Sequence, residues 1–249
     1  MRGRNLKTVV AALASVAVLG LTGCATAPSA SQDVADPGEK VNRAIFKFND
    51  VVDTYAIRPV AQGYHDVVPG GVRTSVRNFL RNLKSPIVIA NQALQGDVEG
   101  TSGATMRALI NTTFGIGGLF DVASDVGIPY EPEDFGQTLA VWGLDHGAYV
   151  VLPFLGPSSL RDATGVAVDT YADPLRLWLD NTDRNEWTYA RVAVSTISSR
   201  AELLGALDDL KKNSIDYYAA LRSSYIQHRA ALVTDSSSDG TMVDIPDYQ

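Results

Sequence analysis

The sequence predicts an all-α domain interrupted by one apolar hairpin, and three observations predict it. Apolar residues recur at spacings of three and four through most of residues 36–233, the period of a helix with one apolar face. Turns bearing glycine or proline separate these stretches. Alternation of period two is confined to residues 143–162, GLDHGAYVVLPFLGPSSLRD, where glycines and two prolines bracket an apolar run at 148–155. Pro153 and Pro157 forbid a continuous helix there, and the run is far too short to span a bilayer. An apolar hairpin of this kind is costly to leave in water without a destination.

Residues 1–23 read as a leader, with Arg2, Arg4 and Lys7 as its positive start and residues 8–19 as its apolar centre. It closes on Leu21-Thr22-Gly23-Cys24, and Cys24 is the sole cysteine of the chain. Leu-x-Gly-Cys in this position resembles the bacterial lipobox, which implies an acylated N-terminal Cys24. Two or more acyl chains anchor stably where one binds only marginally, at about 0.8 kcal/mol per buried methylene. Ala25 after the cysteine resembles the sorting pattern of outer-membrane lipoproteins. No cysteine remains for a disulfide, so the exported fold stands on its packing.

Removing the three basic leader residues from a net charge of −7 leaves −10. Such acidity excludes a nucleic-acid footprint and argues against electrostatic binding to anionic lipid surfaces. Membrane contact falls to apolar surface and the anchor.

Residues 24–35 read as a flexible tether. Asp36-Pro37-Gly38-Glu39 reads as a helix start, with Asp36 as cap. Val41, Ile45, Phe48, Val52 and Tyr55 then form a stripe that ends at Arg58-Pro59. Val72, Val76, Phe79 and Leu83 form a second stripe, closed by Ser85-Pro86, and residues 87–94 a short apolar segment ending at Gly96. Met106, Leu109, Ile110 and Phe114 precede a turn at 115–118. After the hairpin, Ser159 and Asp162 fit a capping box, and Asp173-Pro174 restarts a helix. Trp187, Ala190, Val194, Ile197, Ala201 and Leu204 mark a long helix. Tyr218, Leu221, Tyr225, His228 and Leu232 mark the last one, before a Ser/Asp-rich tail at 234–249 that reads as disordered. The sequence does not apportion the apolar faces between one another and lipid.

Several blocks resemble one family. DPGEKVNRAIFKFND at 36–50, LQGD at 94–97, NTTFGIGGLFDVAS at 111–124, FGQTLAVWG at 135–143, LPFLGPSSLRD at 152–162 and the C-terminal RAELL and SIDYYAALRSSYIQHR segments are similar, in order, to those of the MlaA (VacJ) outer-membrane lipoprotein family. The chain departs from the family's usual Gly-Pro-Tyr at Gly147-Ala148-Tyr149, and from Asp-Pro-Tyr at Asp216-Tyr217-Tyr218. The resemblance implies a ring-like or disc-like single domain in the inner leaflet of the outer membrane. A polar channel through it would let misplaced phospholipid leave the outer leaflet. The implied partners are phospholipid, a trimeric outer-membrane porin and a soluble periplasmic, MlaC-like lipid carrier; no cofactor is implied.

Within the first block, Phe46 and Phe48 read as core, and Asn42, Arg43 and Asn49, off the stripe, as the functional positions of a channel rim. The hairpin reads as a movable lip formed by Tyr149, Val151, Leu152, Pro153 and Phe154, hinged at Gly143, Gly147 and Gly156. Other chemistries are weaker. Gly115-Ile116-Gly117-Gly118 follows a helical pattern and not a strand, so it reads as a turn. Asp121, Asp125, Glu131, Glu133 and Asp134 lack calcium-loop spacing and read as a helix-starting acidic loop. His65, His146 and His228 show no metal-ligand spacing, and His228 reads as a core or rim histidine. Ser158 or Ser159 with His146 and Asp145 or Asp162 superficially supplies a lipid hydrolase triad, yet no Gly-x-Ser-x-Gly elbow exposes a nucleophile. The expectation is therefore a transporter and not an enzyme. A lipoprotein that only braces a porin is the other alternative.

Overall fold

The computed structural model describes residues 34–237. The leader, Cys24, most of the tether and residues 238–249 lie outside the described residues. Helix α1 (Glu39–Val52) carries the first stripe, but Asp36 is not its cap. Gly38 holds that position, and the Asp36 carboxylate accepts from Asn42 Nδ2 at 2.7 Å and from the Tyr218 hydroxyl. Nor does Arg58-Pro59 end the helical path. A π-helical turn (Asp53–Ile57) leads directly into α2 (Arg58–Val67), with Pro59 in the first turn. Proline donates no N–H and clashes with the carbonyl four residues back. The widened turn, in which the Arg58 N–H reaches the Asp53 carbonyl, accommodates it.

The second correction concerns α3 (Gly70–Gln95), which runs straight through Pro86 and joins two expected segments. Ile87, Val88, Asn91 and Gln92 are buried beyond the proline, so tertiary packing outweighs the local cost. Gly96, at φ 79°, closes the helix in a left-handed cap, with the Asp97 N–H reaching back to Gln92. Asp97 then caps α4 (Val98–Thr113) through the Gly100 N–H. Helices α3 and α4 pack extensively on each other. The segment 115–118 is a turn, as expected, with Ile116, Gly117 and Gly118 all at positive φ.

Asp121 and Asp134 cap α5 (Val122–Asp125) and α6 (Phe135–Val141), the helix-starting role expected of the acidic loop. Strands β1 (Tyr149–Leu152) and β2 (Gly156–Ser159) form an antiparallel hairpin pairing Tyr149 with Ser159 and Leu152 with Gly156. Ser159 caps α7 (Leu160–Ala172) through the Asp162 N–H at 3.1 Å, as the capping box predicts. Helices α6 and α7 meet at glycine: a Cβ on Gly165 would lie 2.3 Å from the Gly136 nitrogen. Asp173 caps α8 (Pro174–Asn181), and α9 (Asn185–Glu202), α10 (Leu204–Asn213) and α11 (Tyr217–Ser237) complete the described residues. Helix α11 extends past residue 233, where the tail was expected to begin.

The structure apportions the stripes between interior and surface. On α4, Met106, Leu109 and Phe114 face outward, while Arg107 and Asn111 are buried. On α9, Trp187 and Val194 are exposed, and Ser198 and Arg200 are buried beside Ala201. On α1 Val41 is exposed, and so is Tyr55 in the π-helical turn. One apolar cluster joins Tyr149, Val151 and Tyr218, ringed by Val34, Ile45, Phe46 and Tyr225, while Ile87, Val88, Leu139, Leu179 and Leu204 are buried elsewhere. Among the described residues no helix is long and apolar enough to cross a membrane.

Candidate functional site

The first-block motif and the hairpin, separate in sequence, form one construction. Asn42 and Asn49 lie seven residues apart, two turns along one side of α1. The Asn42 amide donates to the Tyr149 carbonyl at 3.0 Å and accepts from the Val151 N–H at 3.0 Å. Asn49 repeats the pattern further along, donating to the Leu152 carbonyl and accepting from the Phe154 N–H, both at 2.9 Å. The Tyr149 N–H is taken by the Ala35 carbonyl. Backbone groups that β1 would otherwise leave unpaired are thus met by side-chain amides and by residue 35.

Tyr149 and Val151 are buried at the root of the hairpin and belong to the core. Leu152 is half-buried, and Pro153, Phe154 and Leu155 form the exposed tip. Gly143, Gly147 and Gly156 all adopt positive φ, a conformation that glycine enters without steric cost. Phe154 does so too, and its ring meets Phe48 edge-on at 5.3 Å. Phe48 is therefore not core, contrary to expectation; it is 46% exposed, because the side of α1 it occupies supports the tip. Phe46 packs inward against Tyr217 and Tyr218. Arg43 forms a forked pair with Asp216 and lies 4.3 Å from the Tyr218 ring centroid, tying α1 to the start of α11.

Below the hairpin lies a buried charged node that sequence reasoning missed. Arg229 donates to both Asp134 and Asp162, and Asp162 also accepts from Arg161 and the Tyr225 hydroxyl. Burial opposes ionisation of Asp162, but Arg229, Tyr225 and Arg161 more than offset it and hold its pKa below the usual range. His228, read as a core or rim histidine, is exposed and so not core; Arg229, one position on, is the buried residue. The only sequence signal for the node was a basic residue on the helix that also carries Tyr218 and Tyr225.

A second polar recess lies between α3 and α4. Arg107 donates to Asp121 at 2.7 Å, and Asn111 and Ser124 add hydrogen bonds. Burial raises the Asp121 pKa, but these partners hold it down at about 2.

The residues of the notional triad are otherwise engaged. Ser159 caps α7, Asp162 serves Arg229, and His146 Nδ1 lies 3.2 Å from Arg161. Burial first and Arg161 second push the His146 pKa below 6.5, against opposing pulls from Asp162 and Asp145. The folded chain therefore keeps His146 neutral where the unfolded chain protonates it. Its contribution to stability is complete above the unfolded value and is lost as pH falls through the lowered folded one. The melting temperature should fall on acidification from about pH 7.5 to 5.5, and His146→Asn should flatten that slope. Parallel slopes in the two proteins would contradict this account.

Outward apolar side chains, a polar ion-paired interior and a clamped hairpin define a class of helical protein that turns its apolar faces away from its own core. The chain belongs to the MlaA lipoprotein family, whose model matches residues 34–232. It is 38% identical over 212 residues to the intermembrane phospholipid transport system lipoprotein MlaA of Escherichia coli (strain K12), covering 83% of this chain and 82% of that one. The Haemophilus influenzae protein of the same name is 31% identical, covering 97% and 96% of the two chains. An uncharacterized protein of Rickettsia felis is 41% identical, covering 81% and 79%. A solved structure described as "Structural basis for maintenance of bacterial outer membrane lipid asymmetry" aligns with a TM-score of 0.70 at 36% identity, covering 80% of this chain and 99% of that chain.

Proposed function

We propose that this chain is an outer-membrane lipoprotein, anchored through Cys24, that removes mislocalised phospholipid from the outer leaflet and keeps the bilayer asymmetric. The observation that supports this best is the inverted polarity: buried polar side chains outnumber buried apolar ones among the described residues, while Phe114, Trp178 and Trp187 face outward. A helical ring or disc of this kind sits in the inner leaflet with its apolar faces against acyl chains. Its polar interior accompanies the headgroup, which crosses hydrocarbon unaccompanied only at a cost of several kcal/mol or more. The tip at 153–155 is the lip of the channel, and Gly143, Gly147 and Gly156 let it move. A trimeric porin holds the protein in place, and a soluble periplasmic carrier of the MlaC type takes the lipid. Direction comes from which leaflet reaches the opening.

Deleting the gene should raise outer-leaflet phospholipid and sensitise cells to detergent. The wild-type gene should restore both, and Cys24→Ala should not. A strain with Phe48→Cys and Phe154→Cys, bridged by a short cleavable bis-maleimide, should behave like the deletion until the bridge is cut. Unchanged leaflet asymmetry in the deletion strain would favour a mere porin brace. Normal transport with the bridge in place would remove the moving lip.

A further inference from the structure

Helix α3 carries Arg73, Arg77 and Arg81 at four-residue spacing, so the three guanidiniums follow one another along one side. Like charges so placed repel, and carboxylates offset them mostly at a distance: Asp66 acts on Arg73, and Glu202 and Asp121 act on Arg81. Arg77 reaches Glu202 only at 3.6 Å, and both side chains are partly exposed. Arg73 and Arg81 form no ion pair among the described residues, and the buried Nε atoms of Arg73 and Arg77 have no hydrogen-bond partner. Buried polar atoms are normally satisfied, and the buried arginines elsewhere (Arg107, Arg161, Arg200 and Arg229) are each paired to a carboxylate.

The row ends in the recess between α3 and α4, which Arg81 shares with Arg107, Asp121 and Tyr130. Asp121 matches the charge of Arg107 there. Arg81 lies 4.6 Å from the Tyr130 ring centroid and forms no direct ion pair, with Glu202 and Asp121 acting on it only from farther off. Asn78 and Ser85 on its wall add polar groups. Burial, with Arg77 next, pushes the Arg81 pKa down against weaker opposing pulls from Tyr130, Glu202 and Asp121. A guanidinium fork matches a phosphate better than any other protein cation.

We propose that Arg73, Arg77 and Arg81 form an anion track, and that Arg81, on the wall of a recess with room for only about one water, pairs with a phosphate oxyanion, the phosphodiester of a lipid headgroup. This deepens the phospholipid reading above and rests on it. Free phosphate offers the same oxygens, so the test must separate the two sources.

The full-length acylated protein, in a phosphate-free maltoside detergent, is titrated with dihexanoylphosphatidylglycerol, with dihexanoylglycerol and with inorganic phosphate. Arg81→Gln should weaken the phosphatidylglycerol probe about tenfold or more, and Arg81→Lys should restore part of the loss. Dihexanoylglycerol should bind both proteins alike. The melting temperature of Arg81→Gln should equal or exceed that of the wild type, because a charge without a direct ion pair has been removed. A lowered melting temperature with all probes weakened together would make Arg81 structural and overturn the proposal. Inorganic phosphate bound as tightly as the lipid, and lost with Arg81, would support the anion site but overturn its lipid assignment. Equal phosphatidylglycerol binding by wild type and Arg81→Gln would sink this inference alone; a wild type that binds no phospholipid probe would sink the transport reading with it.

Discussion

Replacing Arg229 with methionine should destabilise the protein by about 3–5 kcal/mol, the usual cost of breaking a buried ion pair from one side. Arg229 and Asp162 are almost fully buried, and the Arg229 fork also closes on Asp134 at 2.6 and 3.0 Å. Methionine keeps much of the volume but leaves the buried Asp162 with only Arg161 and Tyr225, and the partly exposed Asp134 without its ion pair. The loss should appear as a lower denaturant midpoint at an unchanged slope. Adding Asp134→Asn and Asp162→Asn to the methionine variant should recover part of it, because those carboxylate charges are then gone. His228→Ala, one residue away on the exposed side, should change stability by no more than about 0.5 kcal/mol. If Arg229→Met costs under about 1 kcal/mol, the node is not a stabilising centre.

The second large effect should come from Asn42. Asn42→Leu leaves the Val151 N–H and the Tyr149 carbonyl without partners inside the core, at about 1–3 kcal/mol for each buried group. It also takes a donor from Asp36. Asn49→Leu breaks the same pair of bonds further out, where the Phe154 N–H is exposed and water replaces the amide. It should cost clearly less. Hydrogen exchange separates the two: Val151 should lose protection in Asn42→Leu, while in Asn49→Leu the effect should stay at the tip. Equal losses of stability in the two variants would show that burial at the hairpin root is not what sets the cost. In cells, Asn42→Leu should also raise outer-leaflet phospholipid, because the lip loses its fixed base.

Much of this fold was legible in residue order. The capping box at Ser159 and Asp162, the restart at Asp173-Pro174 and the hairpin between helices all stand where local chemistry put them. Pro59 and Pro86 misled, since proline is a strong local signal that a widened turn or good packing can outweigh. Asn42 and Asn49 stood out as polar residues beside an apolar stripe. Their partners could not be read, because they are backbone atoms more than a hundred residues away, and backbone atoms carry no sequence signature. The Arg229 node was hidden for a related reason: its carboxylates come from three-dimensional neighbours, the cap of α6 and the first turn of α7, and an arginine on a helix normally faces water.

By itself, then, the sequence determined which stretches are helical, though not every break between them, where the chain turns back on itself as an apolar hairpin, and which family its motifs resemble. Only the tertiary structure decided which side of each helix is the inside. A stripe of apolar residues has the same period whether protein or hydrocarbon lies opposite it, so periodicity locates the stripe and leaves the medium open. Burying Arg107, Asn111, Arg200 and Arg229 while exposing Phe114 and Trp187 is settled by which helices meet, and that depends on contacts between residues far apart in the chain.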